Sequence, residues 1–294
     1  MEAESVQGTI EKMSPADLSY LADRQVLVVA AHADDPVLFC GGTIALMARA
    51  GALVTLVRVT NDDTDSADLS PELTIERNSL ELRNCADLLG IGHIIDLGYP
   101  SDHMWQVPET VLREQLIRIV RQVRPYAVLT LDPHSGGAED NQDHVRTAQA
   151  MDEAFWTSMF DKHHPEHAAD GLSPHGVVER WYFGRPVSRV TDVVDISSVV
   201  TVKADAAACH ITMLGNLIRQ LHLMARTDGR YLPDIDVIEP ELPELIRMMV
   251  TAGSASVGDR YGCAGAEEFR RVRFSGLEVM VDLLVNRYEQ KDGH

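Results

Sequence analysis

The chain has 294 residues, enough for one large α/β domain with elaborations. Hydrophobic residues make up 45% of it and the formal charge is −19, from 45 acidic against 26 basic residues, which excludes a disordered chain and argues against nucleic acid or an anionic membrane surface as partner. No apolar run approaches the ~20 residues that span a bilayer, and Met1–Ser5 lacks the basic and apolar segments of a secretory signal, so a cytoplasmic protein is expected.

Residues 1–24 read as a polar extension. The run Gln25–Ala31 is short, apolar and bounded by polar residues, as a strand buried on both faces would be. Gly41 and Gly42 follow; they suit close packing of the next helix, read over 43–50 and ending at Gly51, against this strand. A second strand spans 53–59, and polar residues 61–72 form a loop. A helix over 73–89 closes at Gly90. Residues 93–97 form a third strand, 108–123 a helix and Ala127–Leu131 a fourth strand. This alternation predicts βαβ units and an open, mostly parallel Rossmann-like sheet with helices on both faces. Residues 161–175 read as a long loop, with strands at 177–183 and 190–194. The stretches 197–225, 241–251 and 265–289 read as mainly helical, so a helical C-terminal part over 196–294 is expected to extend an α/β core over 25–195. The basic run Arg270, Arg271 and Arg273 is assigned to an exposed helix face. Cys40, Cys85, Cys209 and Cys263 are scattered among small and apolar residues and read as reduced, buried thiols.

In an open parallel sheet, ligands bind beyond the carboxyl ends of the strands, and two polar clusters fall there. His32, Asp34 and Asp35 follow the first strand. Asp132 and His134 follow the fourth, leading to Asn141, Asp143 and His144. A catalytic zinc takes three protein ligands and keeps a fourth position for water. His32, Asp35 and His144 supply such a trio, and Asp34 is left free as a proton acceptor. Taken singly, a His-x-x-Asp stretch or an acid at a helix start is common without any metal; the joint placement at strand ends is what points to a site.

At these residues the sequence resembles the PIG-L/LmbE-like family of zinc-dependent N-deacetylases. The stretches that carry the resemblance are "VLVVAAHADDPVLFCGGTIALMARAGALVTLVRVT", "ELRNCADLLGI", "DLGYPSD", "VRPYAVLTLDPHSGG" and "NQDHVRTAQA", within residues 25–155. The resemblance implies Zn2+ held by His32, Asp35 and His144, with Asp34 as general base. Ala33 stands where the family has proline, Pro36 where it has an acid, and Asn141 where it commonly has a histidine that handles the oxyanion or a proton.

The implied activity is removal of an N-acyl group, expected to be acetyl, from an amino-sugar substrate. An amidase acting on a thiol–sugar conjugate, or an inactive ligand-binding relative, are the alternatives. Asp34, Asp143 and Asn141 are the candidate catalytic residues; Asp143 reads equally as a carboxylate orienting a ligand or as a helix-start acid. Arg77, which matches a family position touching substrate, His134 as a replacement imidazole and Asp63 in the loop after the second strand are candidates for substrate binding. Each also has an ordinary reading as a solvated helix, backbone-bonded loop or turn residue. Lys203 and His210 read as surface residues. Trp105, in the loop 102–105, either stacks a sugar or is buried beneath that loop. His163, His164 and His167 lack a ligand pattern. A homo-oligomer is expected.

Overall fold

The computed structural model describes residues 9–135, 138–233 and 238–289. Eight strands form one sheet: β1 (Glu11–Met13), β2 (Gln25–Ala30), β3 (Leu53–Thr60), β4 (His93–Tyr99), β5 (Ala127–Leu131), β6 (Glu179–Phe183), β7 (Asp192–Asp195) and β8 (Ala266–Arg273). Their order is β1-β7-β8-β6-β5-β2-β3-β4. All neighbours are parallel except at β8, which runs antiparallel to both β6 and β7. The helices are α1 (Asp35–Arg49), α2 (Pro71–Leu89), α3 (Glu109–Val123), α4 (Gln142–Thr157), α5 (Glu166–Ala169), α6 (Val200–Ala207), α7 (Ile211–Thr227), α8 (Leu242–Tyr261) and α9 (Glu278–Glu289).

The apolar run of β2 is buried throughout, and its alternate residues feed two cores. Val26, Val28 and Ala30 pack with side chains of α1, α2, α7 and α8, while Leu27 and Val29 pack with those of α3 and α4 on the other face. Helix α2 ends where expected, at Gly90 with φ of 78°. The expected open, mostly parallel sheet with helices on both faces is what forms, and β2 lies directly beside β5.

Several expectations are corrected. Helix α1 starts at Asp35, not Thr43, because Pro36 fits the first turn and Asp35 folds back onto the loop before it. Gly41 and Gly42 therefore lie inside the helix. Their close approach is to the residues after β7 and not to β2: a Cβ on Gly42 would sit 2.8 Å from Ile196, and one on Gly41 3.5 Å from Lys203. The polar extension adds β1 beside β7, and a 3-10 turn at Pro15–Leu21 buries Leu18 and Leu21. The stretch 161–175 contains the single turn α5.

The correction at β8 is the largest. Residues 266–273 form a strand between β6 and β7, where a helix was expected. Its charged residues are paired within the fold: Arg270 with Asp132 at 2.9 Å, Arg271 with Asp192 at 2.8 Å, and Arg273 with Glu179 at 3.3 Å. Glu267 meets Lys203 at 2.8 Å and accepts the backbone N–H groups of Gly42 and Thr43 at 2.9 and 2.7 Å. Those amides follow Cys40, whose φ of −141° interrupts α1 and frees them from the helical ladder. Lys203 and His210, expected at the surface, are both buried.

A candidate metal centre at the strand ends

The loop 31–34 leaves β2 at its carboxyl end and is fixed from two sides. Thr60, the last residue of β3, donates from its backbone N–H and its hydroxyl to the Ala31 carbonyl at 2.9 and 2.8 Å. Asp35 accepts the His32 backbone N–H through Oδ2 at 2.9 Å. That bond turns the other Asp35 oxygen towards His144, whose Nε2 lies 3.1 Å from Oδ1. His144 comes from the first turn of α4, just beyond the carboxyl end of β5. His32 Nδ1 stands 3.1 Å from His144 Nε2 and 3.7 Å from Asp35 Oδ2.

Three buried donor atoms thus face one point. A tetrahedral ion with bonds of about 2.0–2.1 Å sets its ligand atoms about 3.3 Å apart, and His144 Nε2 stands 3.1 Å from both His32 Nδ1 and Asp35 Oδ1, close to that spacing. The donor set, two imidazoles and one carboxylate, suits a divalent metal ion. The trio chosen from the sequence is brought together.

The outer nitrogens of both imidazoles are also held. His32 Nε2 is 3.3 Å from Asp143 Oδ2, and His144 Nδ1 is 3.0 Å from Glu139 Oε2. Carboxylates in these places fix which ring nitrogen faces the ion. Asp143 does more: it accepts the backbone N–H groups of Asp102 and Met104 at 2.6 and 3.2 Å, pinning the loop after β4. It is fully buried behind His32. Among the candidate catalytic residues it is therefore a positioning group.

The neighbours Asp34 and Asp35 are driven apart. Burial raises the Asp35 pKa, but the charges and hydrogen bonds of His144 and His32 outweigh it and hold the carboxyl below its usual range. Burial, then repulsion from Asp35, pushes Asp34 up to about 7. Burial opposes the charged His32 and His144 rings, yet the surrounding carboxylates raise both, His144 to about 9. Among the described residues nothing hydrogen-bonds the Asp34 carboxyl. A cation at the centre would draw its pKa back down.

Other candidates fall further out. Asn141 is the N-cap of α4: its Oδ1 accepts from the Asp143 and His144 backbone N–H groups at 2.9 and 3.4 Å. Its Nδ2 makes no hydrogen bond among the described residues. Asp63 Oδ1 accepts the Ser101 N–H at 2.9 Å and so joins two rim loops. His134 is exposed, with only its backbone N–H bonded, to Asp132 Oδ1 at 3.0 Å. Arg77 lies on the exposed face of α2, beside Asn78, whose Nδ2 donates to the Asp62 carbonyl at 3.1 Å. Trp105 is 60% exposed on the loop that Asp143 pins, so of its two readings burial is ruled out.

Residues 27–155 match the family described as PIG-L, GlcNAc-PI de-N-acetylase. The chain carries a PIG-L family domain. The chain is 26% identical over 290 residues to a 1D-myo-inositol 2-acetamido-2-deoxy-alpha-D-glucopyranoside deacetylase of Rhodococcus jostii, covering 82% of this chain and 96% of that one. It is 28% identical over 192 residues to a diacetylchitobiose deacetylase of Thermococcus kodakarensis, covering 64% and 69%. In fold it is similar to an N,N'-diacetylchitobiose deacetylase of Pyrococcus horikoshii, with a TM-score of 0.69, 24% identity, and 85% and 84% of the two chains covered.

Sequence reasoning assigned no role to several groups around this centre. Glu139 precedes His144 by five residues, in a loop without periodicity. Asp62 is buried against Arg58 at 3.0 Å, with the Thr60 hydroxyl 2.9 Å from its Oδ1. Asp132 is held by Arg270 and by the N–H and hydroxyl of Ser188 at 2.8 and 2.6 Å. Only an acid next to a turn marked the last two.

Proposed function

We propose that this PIG-L chain is a zinc-dependent N-deacetylase of an amino-sugar substrate. The observation that carries the reading is the convergence of His32, Asp35 and His144 with an unbonded carboxyl, Asp34, beside them. The named relatives, which act on acetylated glucosamine units, support the substrate class.

His32, Asp35 and His144 would hold the zinc ion, which when bound would polarise the amide carbonyl and lower the pKa of the attacking water. Asp34 takes that water's proton and returns it to the leaving nitrogen, so that the amine departs neutral as the C–N bond breaks. Asp143 and Glu139 keep His32 and His144 in the required tautomers. Asn141 directs its Nδ2 at a carbonyl or hydroxyl oxygen of the substrate, Trp105 offers an aromatic face to the sugar, and Arg77, His134 and Asp63 stand at the rim as hydroxyl-binding groups. A cytoplasmic setting and a homo-oligomer belong to the same reading, the latter supported by Leu283 and Leu284, which α9 leaves exposed.

The test pairs metal analysis with acetate release from N-acetylglucosamine, diacetylchitobiose and an N-acetylglucosaminyl inositol. One zinc per chain and release from at least one of them is expected. Replacing His32, Asp35 and His144 by Ala should abolish tight binding, and a triple variant with wild-type zinc content would refute the ligand assignment.

A further inference from the structure

The stretch 158–170 follows α4 at the end away from His144 and holds titratable groups that the metal centre does not use. An α-helix rises about 1.5 Å per residue, so ~20 Å of α4 separates His144 from Thr157, where this stretch begins. Its course is set by Arg121 of α3, which is buried and donates to the carbonyls of Ser158, Phe160, His163 and His164 at 3.3, 2.8, 3.0 and 3.3 Å. Wrapped round that guanidinium, the chain brings His164 back over α5. The His164 ring stacks on the His167 ring, with 5.3 Å between centroids and 20° between planes. Its Nδ1 lies 3.0 Å from Glu166 Oε1. One donor atom from each of His164, Glu166 and His167 lies within 4.8 Å of the other two.

The surroundings suit a cation. Arg118 is 3.1 Å from Glu114 and 2.6 Å from Asp170, and Glu166 acts on Arg121. With the imidazoles neutral, three carboxylates against two guanidiniums leave one negative charge over among these groups. His167 is completely buried, whereas the side chains of His164 and Glu166 are 24% and 56% exposed, so an ion can enter from solvent. Arg121 donates to His167 Nδ1 at 3.0 Å, which leaves the ring proton on Nε2, 2.6 Å from Glu114 Oε1. An ion bound at Nε2 takes the place of that proton, which is released to solvent.

We propose that His164, Glu166 and His167 form a second metal site, for a divalent transition ion such as Zn2+, Ni2+ or Cu2+. Two imidazoles and one carboxylate suit such ions, whereas Mg2+ and Ca2+ prefer oxygen ligands. With three ligands and one side open to water, the site takes up added ion and gives it up on dialysis, unlike the enclosed centre at His32. A bound ion ties α5 to the loop before it, and through Arg121 to α3. The spacing of these residues carries no ligand pattern; the turn about Arg121 supplies it. The site does not depend on the deacetylase reading.

The experiment titrates Zn2+ into the dialysed full chain by calorimetry, beside the variants His164→Asn and Glu166→Gln. Asparagine tolerates the left-handed backbone of His164, at φ of 54°, and neither variant touches His32, Asp35 or His144. Wild type should bind one equivalent more than His164→Asn. Glu166→Gln should weaken that equivalent by more than ~10-fold, the least that loss of a carboxylate behind a ligating histidine costs. Added Zn2+ should also raise the melting temperature of wild type by more than it raises that of His164→Asn, because the ion binds only the folded site. Mg2+ should produce no such difference. Equal stoichiometry and affinity in wild type and both variants overturns the site. A rise in melting temperature that Mg2+ reproduces in all three proteins also overturns it, since an acidic surface without a defined ligand set would respond in that way.

Discussion

Asp34 and Asn141 flank the centre from its two loops, and the structure gives them separable tests. Asp34→Asn keeps the side chain's size and should retain both zinc and the fold, while the rate falls by ~10²–10⁴, the range for a lost proton carrier. Loss of zinc in that variant would make Asp34 a ligand. For Asn141, alanine would remove the cap of α4 along with any contact to substrate, at a cost of about 1 kcal/mol in stability. Asn141→Ser keeps a capping oxygen and removes only the amide donor. If Nδ2 serves the reaction, the serine and alanine variants should lose similar amounts of rate while only the alanine variant melts lower. Equal rates for Asn141→Ser and wild type would confine Asn141 to capping. Glu139→Gln should weaken zinc binding ~10–100-fold, as for other carboxylates that orient a ligating histidine, read by competition with a chelator. His32, Asp35 and His144 were legible in the sequence because their spacing places them at adjacent strand ends. Glu139 was not, since its role depends on how an aperiodic loop returns to His144.

At the scale of elements, the sequence marked strands by apolar content, which served for β2, β3 and β5 and failed for β8. In β8 the charged residues Glu267, Arg270, Arg271 and Arg273 are neutralised by partners distant in the chain, so hydropathy alone gives no strand signal. Helix α1 was shortened for a related reason: Gly41 and Gly42 look like a break, yet Glu267 and Ile196 supply what the broken helix needs. Glu267→Ala would leave the Lys203 ammonium buried without its partner and two amides of α1 unbonded. A loss of about 3–5 kcal/mol in unfolding free energy is expected, measured by urea titration. Zinc affinity should fall with it, because Asp35 begins the same helix. A stable variant with normal zinc binding would show that α1 is held by other means.

For the molecule as a whole, His210 ties stability to pH. It is completely buried, neither ring nitrogen has a hydrogen-bond partner among the described residues, and burial, with Arg58 nearby, lowers its pKa from 6.5 to about 4. The folded ring stays neutral below pH 6.5 while the unfolded one takes up a proton. Its contribution to stability is therefore full above about pH 6.5 and is lost as the pH falls towards 4, by on the order of 3 kcal/mol. His210→Leu should remove that part of the slope, seen as the difference between the stability profiles of the variant and wild type over this window. Coincident profiles would mean that the ring is protonated in the fold.

The position of β8 also bears on how the protein is made. The last strand in the chain is inserted between β6 and β7, so the sheet stays open on the ribosome until residue 273 has emerged. From the end of β7 at Asp195 to the end of β8 at Arg273 is 273 − 195 = 78 residues, roughly 4–16 s of translation at about 5–20 residues per second. During that interval the β6 edge, next to the strand that carries the site, has no partner on its outer side. An unpaired edge of this kind invites pairing with another nascent chain. Slow elongation or early termination between these points should therefore yield aggregates in preference to a smaller folded enzyme, and a chaperone that shields the β6 edge should raise the yield of soluble protein.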